Sequence, residues 1–180
     1  MNIQKSNIHP LFTEEQLQKR IQELGKQITE DYKDKNLILI GVLRGAFLFL
    51  ADLCREINLD MKIDFLGLSS YGDRTSSSGI VRLTSDLSLS ILDQDVLIIE
   101  DIIDTGLTMD YLYKNLETRR PRSLKCCALL DKPDRRLQSV HIDYVGFTIP
   151  DRFVIGYGLD YQNQYRNLPY IGVVEGIEDN

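Results

Sequence analysis

Glu100 and Asp101 follow an apolar run, Val96 to Ile99, and Asp104, Thr105, Gly106 and Thr108 come directly after them. This is chemistry suited to a sugar phosphate. Adjacent carboxylates accept hydrogen bonds from vicinal hydroxyls or help organise a magnesium ion. The Thr-Gly-Leu-Thr stretch lies where a strand hands over to a helix. Amides at a helix N-terminus lack intrahelical partners and favour an anion. Gly106 allows unusual backbone angles and close approach, and the two threonine hydroxyls add donors. A third carboxylate, Asp104, beside a bound phosphate would have its pKa raised, which suits acid/base work. Local pattern alone leaves room for plainer roles: Thr108 as a helix cap, and the acids as solvated strand-end groups. No GxxxxGK[ST] and no GxGxxG occurs, so a P-loop or dinucleotide-binding reading has no motif behind it.

The elements that must position these residues are legible from periodicity. Thr13-Glu14-Glu15-Gln16 reads as a capping box, and Leu17, Ile21, Leu24 and Ile28 then repeat at helical spacing to about Tyr32. Leu37 to Leu43 is a doubly buried strand, Arg44-Gly45 a turn and Ala46 to Ile57 a helix. Lys62 to Leu68 is the next strand. Ser69 to Gly79, polar and rich in Ser and Gly, reads as a mobile lid or binding loop. Further strands are expected at Val96 to Ile99, Leu124 to Leu130, His141 to Gly146 and Val154-Ile155, with a helix over Leu107 to Leu116. Alternating strands and helices predict an α/β fold with a mainly parallel central sheet flanked by helices. Ligands in such sheets bind beyond the carboxyl ends of the strands, where Arg44, Glu100, Asp101 and Lys132 would share a rim.

Composition narrows the partners. A net charge of −6 disfavours general nucleic-acid binding. The longest apolar run, Ala46 to Ala51, is too short for a bilayer, and the N-terminus has no apolar core of a secretory signal. Cys126 and Cys127 should point to opposite faces of one strand and, with Cys54, read as small packing residues of a reducing compartment, hence a cytoplasmic location. His9 and His141 fit no site motif. The 180 residues are expected to form one domain.

Glu100-Asp101-Ile102-Ile103-Asp104-Thr105-Gly106-Leu107-Thr108 resembles the phosphoribosyl pyrophosphate motif of type I phosphoribosyltransferases, and Asp104 points within them to the hypoxanthine-guanine (6-oxopurine) branch. Leu43-Arg44-Gly45-Ala46 resembles the family's pyrophosphate loop, and Ser70-Tyr71 with Ser78-Gly79 its lid, placed at about 69–81. Leu130-Asp131-Lys132 resembles the base-binding lysine segment. Val145-Gly146-Phe147, Ile149 to Val154 and Gly156-Tyr157-Gly158-Leu159-Asp160-Tyr161 resemble the C-terminal base-binding part, which contributes to a small hood. The strings occur in the family's order and spacing.

The resemblance implies purine salvage: transfer of a 5-phosphoribosyl group from phosphoribosyl pyrophosphate to hypoxanthine or guanine, releasing pyrophosphate and giving IMP or GMP. It implies that Asp104 to Thr108, Leu107 included, bind the 5-phosphate, that Asp104 is also the catalytic acid/base, and that Glu100 and Asp101 hold the ribose hydroxyls. Lys132 would donate to the 6-oxo group, Phe153 stack on the base and Val154 read its pyrimidine edge. Asp160 would border the purine and bind magnesium, with Glu100 and Asp101 serving a magnesium ion as well. Arg44, Gly45 and Arg166 would contact pyrophosphate. The Leu43–Arg44 peptide is often cis in the family, aiming the Arg44 amide at pyrophosphate. A homodimer or homotetramer is implied. Two positions depart from other members: Arg44 where some carry Lys, and Ser69 where some carry Lys. The competing readings are a xanthine-preferring relative and an RNA-binding regulator of the same fold, the latter pointing to Arg119-Arg120-Pro121-Arg122 as its only basic cluster.

Overall fold

The computed structural model describes residues 8–71 and 80–174, with the backbone alone at residues 70, 71, 80 and 81. In chain order the elements are β1 (Ile8–Phe12), α1 (Glu14–Asp31), β2 (Leu37–Leu43), α2 (Phe47–Glu56), β3 (Lys62–Tyr71), β4 (Ile80–Ser85), β5 (Asp95–Ile103), α3 (Leu107–Glu117), β6 (Ser123–Asp131), β7 (Tyr144–Thr148), β8 (Val154–Ile155) and β9 (Ile171–Val174). Six of the described strands form one sheet in the order β4-β3-β2-β5-β6-β7. All its neighbours pair in parallel except β3 and β4. The expected α/β architecture is therefore present.

Strand β2 is buried along nearly its whole length because helices cover both faces of the sheet. Leu37, Leu39, Leu97, Ile99 and Cys127 join the core that also takes the apolar stripe of α1 (Leu17, Ile21, Leu24, Ile28) and Phe49, Leu50 and Leu53 of α2. Ile38, Ile40, Val96, Ile98 and Cys126 face the other way, toward Met109, Leu112 and Leu116 of α3. Cys126 and Cys127 thus divide between two cores, as the period of a strand demands, and burial pushes both thiols above their ordinary value. The capping box forms as expected: Gln16 N donates to Thr13 Oγ1 at 3.3 Å and Thr13 N to Gln16 Oε1 at 2.9 Å. No described helix is long and apolar enough to cross a membrane.

Three outcomes differ from the sequence reading. The segment read as the start of the lid is strand: Ser69, Ser70 and Tyr71 pair antiparallel with Arg82, Val81 and Ile80. An outer antiparallel pair takes its ladder bonds from the backbone and does not need the apolar side chains that periodicity detects. Residues 72–79 of the expected lid lie outside the described residues. The strand expected at His141 to Gly146 runs from Tyr144 to Thr148, leaving His141 exposed before it. Finally, the hood contains a second sheet, β1-β9-β8, of which only β8 was anticipated. It joins Ile8–Phe12 to Ile171–Val174 across most of the chain, a pairing that local pattern does not reveal.

The hood is locked onto the main sheet by a tight loop. Gly156, Tyr157 and Gly158 all have positive φ (95°, 47° and 99°). Tyr157 donates its hydroxyl to Asp52 of α2. A Cβ on Gly158 would lie 2.1 Å from the Gly45 carbonyl oxygen, so only glycine fits there. Gly158→Ala combines a left-handed backbone with a collision against main chain. It is expected to lower unfolding free energy by about 2–3 kcal/mol; an unshifted urea midpoint would contradict the packing described.

Candidate active site

Parallel pairing brings the carboxyl ends of β2, β5 and β6 to one rim: Leu43 of β2 stands beside Gly67, and Ile103 of β5 beside Asp131 of β6. The site residues project from these ends and from the hood loop facing them. The Leu43–Arg44 peptide is cis, as family resemblance suggested, and Arg44 is exposed. Gly45 follows, pressed against Asp101: a Cβ there would lie 1.6 Å from Asp101 Oδ2. The pyrophosphate-loop sequence, the paired acids and the hood loop thus form one stack through Asp101, Gly45 and Gly158.

The two acids differ in exposure, Asp101 being half-buried and Glu100 buried. Glu100 is 6% exposed, and its Oε2 has no hydrogen-bond partner among the described residues. Burial first, and then the neighbouring Asp101 charge, hold the Glu100 carboxyl well above the usual range. Burial also pushes Asp101 up to about 6, against backbone hydrogen bonds and the Arg166 charge, which pull it down. Neither acid is the solvated strand-end group that the plainer reading allowed.

The turn after β5 has the geometry of an anion cradle. Gly106, with φ 83°, is the N-cap of α3, and no side chain caps the helix. Thr108 is therefore not the cap, which excludes its plain structural role. Thr105 Oγ1 accepts weakly from Leu107 N at 3.5 Å, and the Thr105 carbonyl accepts from Leu137 N and Gln138 N. Those last bonds pin the outer wall of the turn, leaving the first-turn amides of α3 and the dipole to a ligand.

Asp101, Asp104, Lys132, Phe153, Val154 and Asp160, together with Ile102 and Leu159, line a cleft of about 270 Å³. Residues from β5, the end of β6, the start of β8 and the hood loop converge there. Lys132 is not a surface lysine: it is 1% exposed, with Nζ 3.1 Å from Asp151 Oδ1. Asp104 Oδ1 lies 3.6 Å from Arg135 Nε. The Phe153 ring is half-buried and meets Tyr161 edge-on, with centroids 5.6 Å apart. Val154 is buried in β8, pairing with Val173.

Asp160 and Arg166 form a unit beside the cleft. Arg166 Nη2 donates to Asp160 Oδ1 at 2.6 Å and Nη1 to the Gly158 carbonyl at 2.5 Å; Asn163 N donates to Asp160 Oδ2 at 2.6 Å. Ser70 and Tyr71 stand near the end of β3. Arg135 and Asp151 were missed by sequence reasoning. Arg135 is an ordinary charge beside a motif and Asp151 lies within the Ile149 to Val154 string without an assigned role; the fold shows that they meet Asp104 and Lys132. The basic cluster of the RNA reading is largely neutralised: Arg119 pairs with Asp86 at 2.7 Å and Arg122 with Asp95 at 3.1 Å.

The raised pKa of Asp101 has a sign that can be checked in the unliganded protein. Its folded value of about 6 exceeds the unfolded value of about 4, so ionisation opposes folding. The penalty is absent below about pH 4, grows between about pH 4 and 6, and is complete above. Asp101→Asn is therefore expected to stabilise the protein at pH 7.5 by about 1–2 kcal/mol, with the gain vanishing toward about pH 4. Urea unfolding across that range checks this, and a pH-independent gain would count against it.

Comparison with known proteins places this geometry. Residues 11–162, well over half of the chain, match the phosphoribosyl transferase domain model. The hypoxanthine-guanine phosphoribosyltransferase of Mycobacterium avium is 52% identical, over 92% of this chain and 84% of that protein. The hypoxanthine phosphoribosyltransferase of Escherichia coli K12 is 48% identical, over 94% of this chain and 97% of that one. A crystal structure of a hypoxanthine phosphoribosyltransferase from Staphylococcus aureus superposes with a TM-score of 0.90 at 46% identity, covering 94% of this chain and 93% of that one. The chain belongs to the phosphoribosyltransferase family, alongside its hypoxanthine and hypoxanthine-guanine members.

Proposed function

We propose that this phosphoribosyltransferase acts in purine salvage, joining hypoxanthine or guanine to the ribosyl carbon of phosphoribosyl pyrophosphate and releasing pyrophosphate. The observation that carries the reading is the convergence of Asp104 and buried Lys132 on one cleft beside Phe153 and Val154. An ammonium held there donates to a 6-oxo oxygen, whereas a 6-amino group offers no in-plane acceptor. Phe153 supplies an apolar face for the ring, and Val154 the backbone at its pyrimidine edge.

Asp104 holds or moves the proton at the imidazole nitrogen that stays free of sugar. Thr105 to Thr108 bind the 5-phosphate at the N-terminus of α3. Asp101 and Glu100 accept from the ribose hydroxyls. The amides of Arg44 and Gly45, with the Arg166 guanidinium, face pyrophosphate. The reaction passes through a ribosyl cation, as in glycoside chemistry, and needs no enzyme nucleophile. The residues therefore act by positioning two substrates and stabilising charge.

Magnesium fits the donor set. Among the described residues no three His, Cys, Asp or Glu cluster as a self-sufficient metal site. Magnesium takes only one or two carboxylates and completes its shell with water and phosphate oxygens. Glu100 Oε2, buried and unpartnered, and the carboxylates of Asp101 and Asp160 are the groups that would hold it. When bound, it would neutralise charge on the pyrophosphate oxygens. We take the working form to be a cytoplasmic homodimer or homotetramer. Free Cys54, Cys126 and Cys127 support the location, and exposed Phe47, Ile63 and Phe65 support association.

Pyrophosphate release is the direct assay, with magnesium, phosphoribosyl pyrophosphate and each purine in turn. Turnover with hypoxanthine or guanine is expected, and turnover with adenine alone would overturn the proposal. Asp104→Asn is expected to retain phosphoribosyl pyrophosphate binding and lose about 10²–10⁴-fold in kcat, the usual range for an acid/base group. Undiminished turnover with guanine would remove Asp104 from the chemistry. Lys132→Ala is expected to weaken purine binding far more than phosphoribosyl pyrophosphate binding, and equal losses for both would count against base reading.

A further inference from the structure

We propose that Asp151 is a positioning residue for the purine, setting the direction of the Lys132 ammonium and, through Arg135, its placement relative to Asp104. Four side chains of alternating charge form a chain. Asp104 Oδ1 lies 3.6 Å from Arg135 Nε, Arg135 Nη1 lies 3.9 Å from Asp151 Oδ1, and that same oxygen lies 3.1 Å from Lys132 Nζ. The chain spans three parts of the fold: the turn after β5, the short 3-10 turn Pro133–Arg135 after β6, and the loop before β8. Backbone bonds bring the segments side by side, Lys132 N donating to the Ile103 carbonyl and Ile149 N to the Asp131 carbonyl, each at 2.9 Å, and the side chains then set where the charged heads point.

The arrangement has a chemical reason. The 6-oxo oxygen and the free imidazole nitrogen sit side by side on one edge of an oxopurine. A donor for the first and an acid/base group for the second must be held at a matching separation. Lys132 is 1% exposed, and a buried ammonium is costly unless a partner of opposite charge compensates it. Asp151 supplies that charge from the rim, where its own side chain is 46% exposed. An ammonium has three donors, so a bond to Asp151 leaves others for a ligand carbonyl. Asp151 thus fixes the lysine without occupying it.

This inference rests on the purine-reading role proposed for Lys132, and steady-state kinetics separate the two. Asp151→Asn, isosteric and uncharged, is expected to raise the KM for hypoxanthine about tenfold, the effect of losing one half-exposed partner of a charge pair. The KM for phosphoribosyl pyrophosphate should stay within about twofold, and Asp151→Glu should recover part of the loss, because charge is restored. If Asp151 acts through Lys132, Asp151→Asn should add less than about twofold on a Lys132→Ala background. Equal increases in both KM values would overturn the inference, as would an undiminished effect without the lysine. A Lys132→Ala variant with an unaltered hypoxanthine KM would instead sink the underlying reading. If Lys132→Ala raises that KM while Asp151→Asn leaves it unchanged, the inference alone fails. Urea midpoints of all variants identify any loss that comes from unfolding.

Discussion

The close stacking of Asp101, Gly45 and Gly158 is the contact on which the site depends. Two backbone segments approach so tightly that neither tolerates a Cβ, and a carboxylate is trapped beneath them. The stack ties the end of β2 to the end of β5 and to the hood loop. Of the two adjacent acids, Glu100 is buried with an oxygen that has no hydrogen bond among the described residues, and Asp101 is half-buried on the cleft. Folding alone would not select such an arrangement, since a buried acid oxygen without a partner opposes stability. On the function proposed above, a ligand with hydroxyls, phosphates and a cation would complete these polar groups.

The two ends of the site are built by different physics. At the end proposed to take phosphate the features are backbone: the turn at Gly106, the uncapped start of α3 and the amides beside the cis peptide. These features are local and continuous in sequence. At the end proposed to take the base the features are side chains from segments joined by backbone bonds, with an ion-pair chain linking their charged heads and the β8–β9 pairing anchoring Val154. On the proposed function, the first end would serve any ribosyl phosphate and the second would select the base.

That division explains what was legible in the sequence. The apolar run before Glu100, the Thr-Gly turn and the alternation of strands and helices are local signals, and they placed β5, the turn into α3 and the parallel sheet. Lys132, followed by Pro133 among charged residues, looks like surface when taken alone; only the resemblance marked it, and its burial emerges with the fold. Asp151, though within a quoted motif string, and Arg135 received no role, because their significance is a distance between segments far apart in the chain. Strands β1 and β9 were missed for a similar reason. One is five residues long and contains Pro10, the other is four residues long, and each is stabilised by the other rather than by its own pattern. The strand portion of the supposed lid escaped because its pairing is written in the backbone and its side chains are polar.

If the acid pair at the end of β5 stays incomplete until substrate arrives, ligand binding must change how Asp101 titrates. Carbon-13 NMR titration of the Asp101 carboxyl in the metal-free protein, repeated with magnesium and phosphoribosyl pyrophosphate, tests this most directly. The account predicts a pKa of about 6 without ligand and a marked fall when ligand binds. An unliganded value near 4, unchanged by ligand, would contradict it.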